Sequence, residues 1–166
     1  MGMFSFIKEA GEKLFGIGEA KAAQEVAKAA PTPVNLEAAN KAAAAAIADY
    51  VAKMNLTAEG LTIGFDAASS TVIVQGMADT QETKEKILLC CGNVAGVENV
   101  QDQLGVIQAE TEPQFYTVVC GDTLSKIAKE YYGNANAYMG IFEANKPMLS
   151  SPDKIYPGQM LRIPPQ

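Results

Sequence analysis

The side chains in this sequence that could carry chemistry are three cysteines and a set of scattered carboxylates. Cys90 and Cys91 are adjacent, and Cys120 stands apart. An odd count with two neighbours is neither a disulfide framework nor a metal-binding spacing. Apolar packing is the expected role of Cys90, with Cys91 exposed, and such usage suits a reducing compartment. The chain contains no histidine. This excludes Ser-His-Asp and Cys-His catalysis, together with the commonest zinc ligand sets. Glu130, Glu143 and Asp153 could in principle supply the two carboxylates of a glycosidase. Nothing in their spacing pairs them, so no enzyme is expected.

Charge narrows the partners. A net charge of −6 and an isoelectric point near 4.7 argue against nucleic acid and leave cations open. The opening residues Met1–Leu14 do not read as a signal peptide, because Lys8, Glu9, Glu12 and Lys13 interrupt any apolar core. Gly2 invites myristoylation, but Phe6 stands where Ser or Thr is wanted. The run Ala42–Ala48 is far too short to span a bilayer. A soluble, cytoplasmic monomer with no transmembrane segment is the expectation.

The elements that would position any site are clearest in the last third. Tyr116, Val118 and Cys120 alternate with Thr117 and Val119 as in a strand. Gly121 permits a turn and Asp122 is placed to cap a helix. Leu124, Ile127, Ala128 and Tyr131 then share one helical face. Gly133 sits where a helix ends, and Tyr138, Ile141 and Phe142 imply a second helix closing near Asn145. Pro157-Gly158 fits a type II turn before a strand carrying Leu161 and Ile163. This βααβ unit, residues 115–165, resembles a LysM domain. The resemblance implies a fold that binds N-acetylglucosamine polymers, with a shallow sugar groove flanked by Gly121, Asp122, Thr123, Leu124, Asn145 and Ile155. Peptidoglycan lies outside the cytoplasm, which sets that ligand against the missing export signal.

The preceding residues read as a second small domain. Phe4, Ile7, Gly11 and Leu14 share a helical face, so residues 1–16 are expected to form an N-terminal helix packed on that domain. Residues 17–33 are a linker or an Ala-rich helix, bounded by Pro31 and Pro33. Asn35 is the expected N-cap of a helix to about Met54. A hairpin follows, with Leu61, Ile63 and Phe65 in one strand and Val72 and Val74 in the other. Asp79-Thr-Gln-Glu82 reads as a capping box opening a helix to Cys90. The loop Gly92–Val97 leads into a last strand, and residues 110–114 link to the final domain. The order helix, strand, strand, helix, strand over residues 34–109 resembles a BON domain, so the fold class is α+β with two small domains.

The pairing of these two modules behind the opening Met-Gly-x-Phe-x-Phe stretch resembles the bacterial cytoplasmic BON–LysM potassium sensors. The likeness extends to Gly92-Asn93 with Gly96 and to Ile141-Phe-Glu-Ala-Asn-Lys-Pro-Met-Leu149, and it departs between Phe15 and Asn40. It implies one K+ ion held by backbone carbonyls of Ile7 and Ala10 and of Gly92, Val94 and Val97. The LysM domain would then serve a glycan or a protein partner. The physics is compatible. A helix C-terminus leaves carbonyls unpaired and partly negative, and neutral carbonyls can replace the shell of a weakly hydrated monovalent ion. A peptidoglycan-binding envelope protein is the alternative.

Overall fold

The computed structural model describes residues 2–5, 22–23, 25, 28–29, 32–94, 96–108 and 113–165. Two α+β units follow one another. The first carries a four-stranded sheet ordered β1-β4-β3-β2, from β1 (Gly2–Ser5), β2 (Glu59–Asp66), β3 (Thr71–Thr80) and β4 (Asn99–Gln108). β3 and β4 run parallel, joined by helix α2 (Gln81–Gly92), while β1 and β2 are antiparallel to their neighbours. Helix α1 (Pro33–Lys53) lies against β2, and α2 lies against β3 and β4. Val72, Val74, Val100, Ile47, Val51 and Ile87 are fully buried between sheet and helices. A one-sided sheet covered by helices is what the alternating strands and the apolar helix stripes require.

The second unit is a two-stranded antiparallel sheet, β5 (Gln114–Thr117) with β6 (Met160–Ile163). Between them come α3 (Leu124–Tyr132), a short 3-10 turn (Ala135–Ala137) and α4 (Tyr138–Ala144). Gly133 ends α3 at φ 70°, a left-handed conformation that disfavours a Cβ. The turn at Pro157-Gly158 closes through the Gln159 N–H to the Tyr156 carbonyl at 3.1 Å. Among the described residues, no helix is long and apolar enough to cross a membrane.

Three expectations shift. Residues Gly2–Ser5 form strand β1, with Phe4 opposite Val100, rather than the start of a helix. Pairing with β4 satisfies their backbone, and Phe4 meets Phe115 of the second unit edge to face at 5.3 Å. The rest of the proposed 1–16 helix lies outside the described residues. Helix α1 begins at Pro33 with Thr32 in the N-cap position, not Asn35, because proline suits the first turn where its missing N–H costs nothing. The caps of α2 and α3 are Thr80 and Thr123, each one residue beyond the expected Asp79 and Asp122. Within 17–33, Ala22, Ala23, Glu25, Lys28 and Ala29 are helical, and Ala23 joins the core at 1% exposure.

Candidate functional site: the loop after helix α2

Helix α2 starts on the Thr80 hydroxyl, which accepts the Thr83 N–H at 3.1 Å, and runs toward the second unit. Its last turn carries no basic residue, so the partial negative charge of its C-terminal carbonyls is not neutralised from within the helix. Asn93 ends it, donating its N–H to the Leu89 carbonyl at 2.9 Å. The chain then curls. Val94 N–H reaches the Cys91 carbonyl at 3.5 Å and Val97 N–H the Val94 carbonyl at 3.1 Å. Gly96 sits at φ 94°, which a β-branched residue could hold only with strain. Beyond the curl, the Glu98 and Asn99 N–H groups both bind the Ser70 carbonyl, at 2.8 and 3.2 Å, anchoring the loop to the β2–β3 hairpin.

Gly92, Val94 and Val97 are thereby brought into one tight loop. The Val94 and Val97 side chains are fully buried in the core, so the polar chemistry of the loop belongs to its main chain. Among the described residues, no group of three or more His, Cys, Asp or Glu is placed to hold a metal ion. Neutral carbonyl oxygens at the negative end of a helix suit a large monovalent cation better than calcium or magnesium, which favour carboxylates. Ile7 and Ala10 lie outside the described residues.

Sequence reasoning passed over Asn93, the residue between two of the expected carbonyl ligands, Gly92 and Val94. Its side chain is fully buried and bonds entirely to the second unit. The amide nitrogen donates to the Met160 carbonyl at 3.1 Å and to Met148 Sδ at 3.2 Å. The amide oxygen accepts the Met160 N–H at 3.1 Å. A fully buried asparagine must have partners, but one chain of letters does not say whose they are.

Two of the three cysteines are packing groups. Cys91 is fully buried rather than exposed, as is Cys90, whose thiol burial pushes up to about 12. Neither is a nucleophile at neutral pH. Cys120 is the exposed one.

The second unit carries a cleft of about 330 Å³ lined by Asp122, Thr123, Leu124, Ser125, Tyr138, Pro152, Asp153 and Ile155. Four of the six expected groove residues are therefore together: Asp122, Thr123, Leu124 and Ile155. Asp122 is held from behind, accepting the Tyr116 hydroxyl at 2.7 Å and the Val119 N–H at 2.9 Å. That hydrogen bond is the main reason the Tyr116 phenol is pushed up to about 12. Gly121 lies beside the cleft without lining it, its carbonyl accepting Lys126 Nζ at 2.8 Å. Asn145 is not in the cleft either. It is 1% exposed and ties α4 to β6, donating to the Ile141 and Arg162 carbonyls at 2.7 and 2.8 Å and accepting the Arg162 N–H at 2.8 Å.

Residues 116–164 match the LysM domain family. An uncharacterized protein of Deinococcus radiodurans is 36% identical over 108 residues, covering 58% of this chain and 42% of that one. The potassium binding protein Kbp of Escherichia coli O6:H1 is 44% identical over 165 residues, 99% of each chain. Similarity at that level along the whole length of both proteins shows that the chain belongs to the Kbp family.

Proposed function

We propose that this protein is a non-enzymatic potassium-binding protein of the cytoplasm, a sensor or buffer. The ion would be held by main-chain carbonyls of Ile7 and Ala10 and of Gly92, Val94 and Val97. The observation that carries the reading is the 44% identity over 99% of both chains to a protein named for potassium binding. The loop after α2 supports it chemically, with no basic residue in the last turn of the helix and the Val94 and Val97 side chains buried in the core. A ligand that binds only the ordered arrangement stabilises it by mass action. Potassium would in this way favour the arrangement in which the segment carrying Ile7 and Ala10 packs on the first domain, and the free and loaded states would differ in compactness.

Thermal unfolding of desalted protein against KCl, with NaCl at matched ionic strength, tests this. The melting temperature should climb with KCl and saturate, and climb much less with NaCl. Equal shifts in both salts would defeat the reading.

The cleft beside Asp122, Thr123, Leu124 and Ile155 favours a second reading, a peptidoglycan or N-acetylglucosamine ligand for the LysM domain. Co-sedimentation with purified peptidoglycan and chitin oligomers would register it, and a protein that stays in the supernatant with both would rule it out.

A further inference from the structure

We propose that Asn93 is the positioning residue through which the second domain sets the shape of the ion-binding loop. The inference rests on the potassium reading above. Asn93 sits between Gly92 and Val94, so it owns the two peptide planes that flank it. One plane contains the Gly92 carbonyl and the Asn93 N–H, which is fixed on Leu89. The other contains the Val94 N–H, which is drawn toward Cys91. The side chain cannot rotate to relieve either plane, because all three of its polar contacts are to Met160 and Met148 of the second domain and it is fully buried. A buried amide that abandons such partners leaves donors and acceptors unsatisfied on both sides.

The arrangement on β6 shows how the second domain reaches the loop. Leu161 and Ile163 face the core, while the N–H and C=O groups of Met160 and Arg162 point away from β5 and need other partners. Both are met by asparagine side chains acting as a surrogate strand. Asn145, from the same domain, takes Arg162, and Asn93, from the other domain, takes Met160. The edge of β6 is thus complete only when the loop after α2 presents Asn93 to it. Reciprocally, the loop is held in register by a strand that contributes no ligand to the ion.

Two substitutions approach the same pair of bonds from opposite sides. Asn93→Ala removes them at the loop. Met160→Pro removes one of the two, the N–H bonded to the Asn93 amide oxygen, at the first position of β6, where proline can enter a strand, and changes no ion-loop residue. Potassium affinity is read by isothermal titration at a temperature where circular dichroism shows each variant folded. Both variants should weaken K+ binding by about ten- to a hundred-fold, as loss of a partner behind the ligands generally does. The preference for K+ over Na+ should narrow with it. Tyr132→Phe, which removes the hydroxyl bond to the Pro164 carbonyl inside the second domain, should lower the melting temperature without changing the affinity. If Asn93→Ala fails to fold, Met160→Pro decides alone. Wild-type affinity in the folded variants, or an equal loss in Tyr132→Phe, overturns the inference and leaves the potassium reading intact. A wild-type protein without preference for K+ over Na+ overturns both.

Discussion

Glu85 on α2 and Arg162 on β6 form an ion pair between the two domains, with side chains 3% and 6% exposed. The contact joins the helix that feeds the candidate ion loop to the strand that Asn93 completes. Glu85 is also steadied by Gln81, whose amide donates to its other oxygen at 2.6 Å. Taking both charges out of water offsets most of their attraction, so such a pair contributes more to the choice of docking geometry than to net stability.

Removing one member is a different matter. Glu85→Ala leaves the Arg162 guanidinium buried without its counter-charge and should cost about 3–5 kcal/mol. The double variant Glu85→Met with Arg162→Met should recover most of that loss. Urea denaturation of the three proteins measures it. A single variant as stable as wild type would show that the domains part easily enough to hydrate the arginine.

Asn145 makes a parallel prediction inside the second domain. Asn145→Ala strands the Arg162 N–H and C=O and the Ile141 carbonyl in a dry site, at a cost of about 2–5 kcal/mol for the set. Because Asn145 does not line the cleft, any glycan binding should survive in molecules that remain folded. Loss of glycan binding at full stability would return Asn145 to the groove.

Gly96→Val forces a β-branched residue toward φ 94° and should cost about 1–3 kcal/mol in strain, or flatten the loop instead. In the second case the melting temperature changes little, and the potassium-dependent part of the thermal shift disappears. A variant with wild-type stability and a wild-type potassium shift would show that the loop conformation is not required.

The pH profile follows from burial and from the lack of histidine. With no group of that type, no side chain of ordinary pKa titrates between about pH 6 and 8, and stability should be level there. Burial raises Cys90, to about 12 against 9.0 for an ordinary thiol, and raises the Tyr50 and Tyr156 hydroxyls as well. Groups raised in the folded state contribute fully below their unfolded values. Stability should therefore hold to about pH 9 and fall as pH climbs from 9 toward 12. At the acid end, a hydrogen bond from Lys86 holds the Glu82 carboxyl below 4.5, so its contribution is lost as pH falls through that region. Chemical denaturation from about pH 2 to about pH 12 checks both limbs. A transition near pH 6.5 would contradict the assignment.

Much of the secondary structure was legible because it depends on neighbours in the chain. The apolar stripe of α3, its end at Gly133, the alternation of β2 and β3, and the turn at Pro157-Gly158 all came from local spacing. The helix starts were misplaced by one to three residues. Asp79 and Thr80, or Asp122 and Thr123, are equally able to cap, and only the actual backbone angles choose between them. Asp122, released from capping, holds Tyr116 and Val119 instead. Strand β1 was missed because the stretch from Gly2 to Phe6 is as good a strand as a helix start, and the free edge of β4 decided the matter.

Composition and order alone determined that this is an α+β protein without histidine chemistry, and a main-chain cation site entered only through the resemblance to the potassium sensors. The tertiary structure decided what the loop after α2 and the end of that helix pack against. Asn93 and Met160 are 67 residues apart, and Glu85 and Arg162 are 77. No periodicity encodes such a pair, since each partner satisfies a local rule on its own. Their meeting depends on how the two units bury their remaining polar groups against each other.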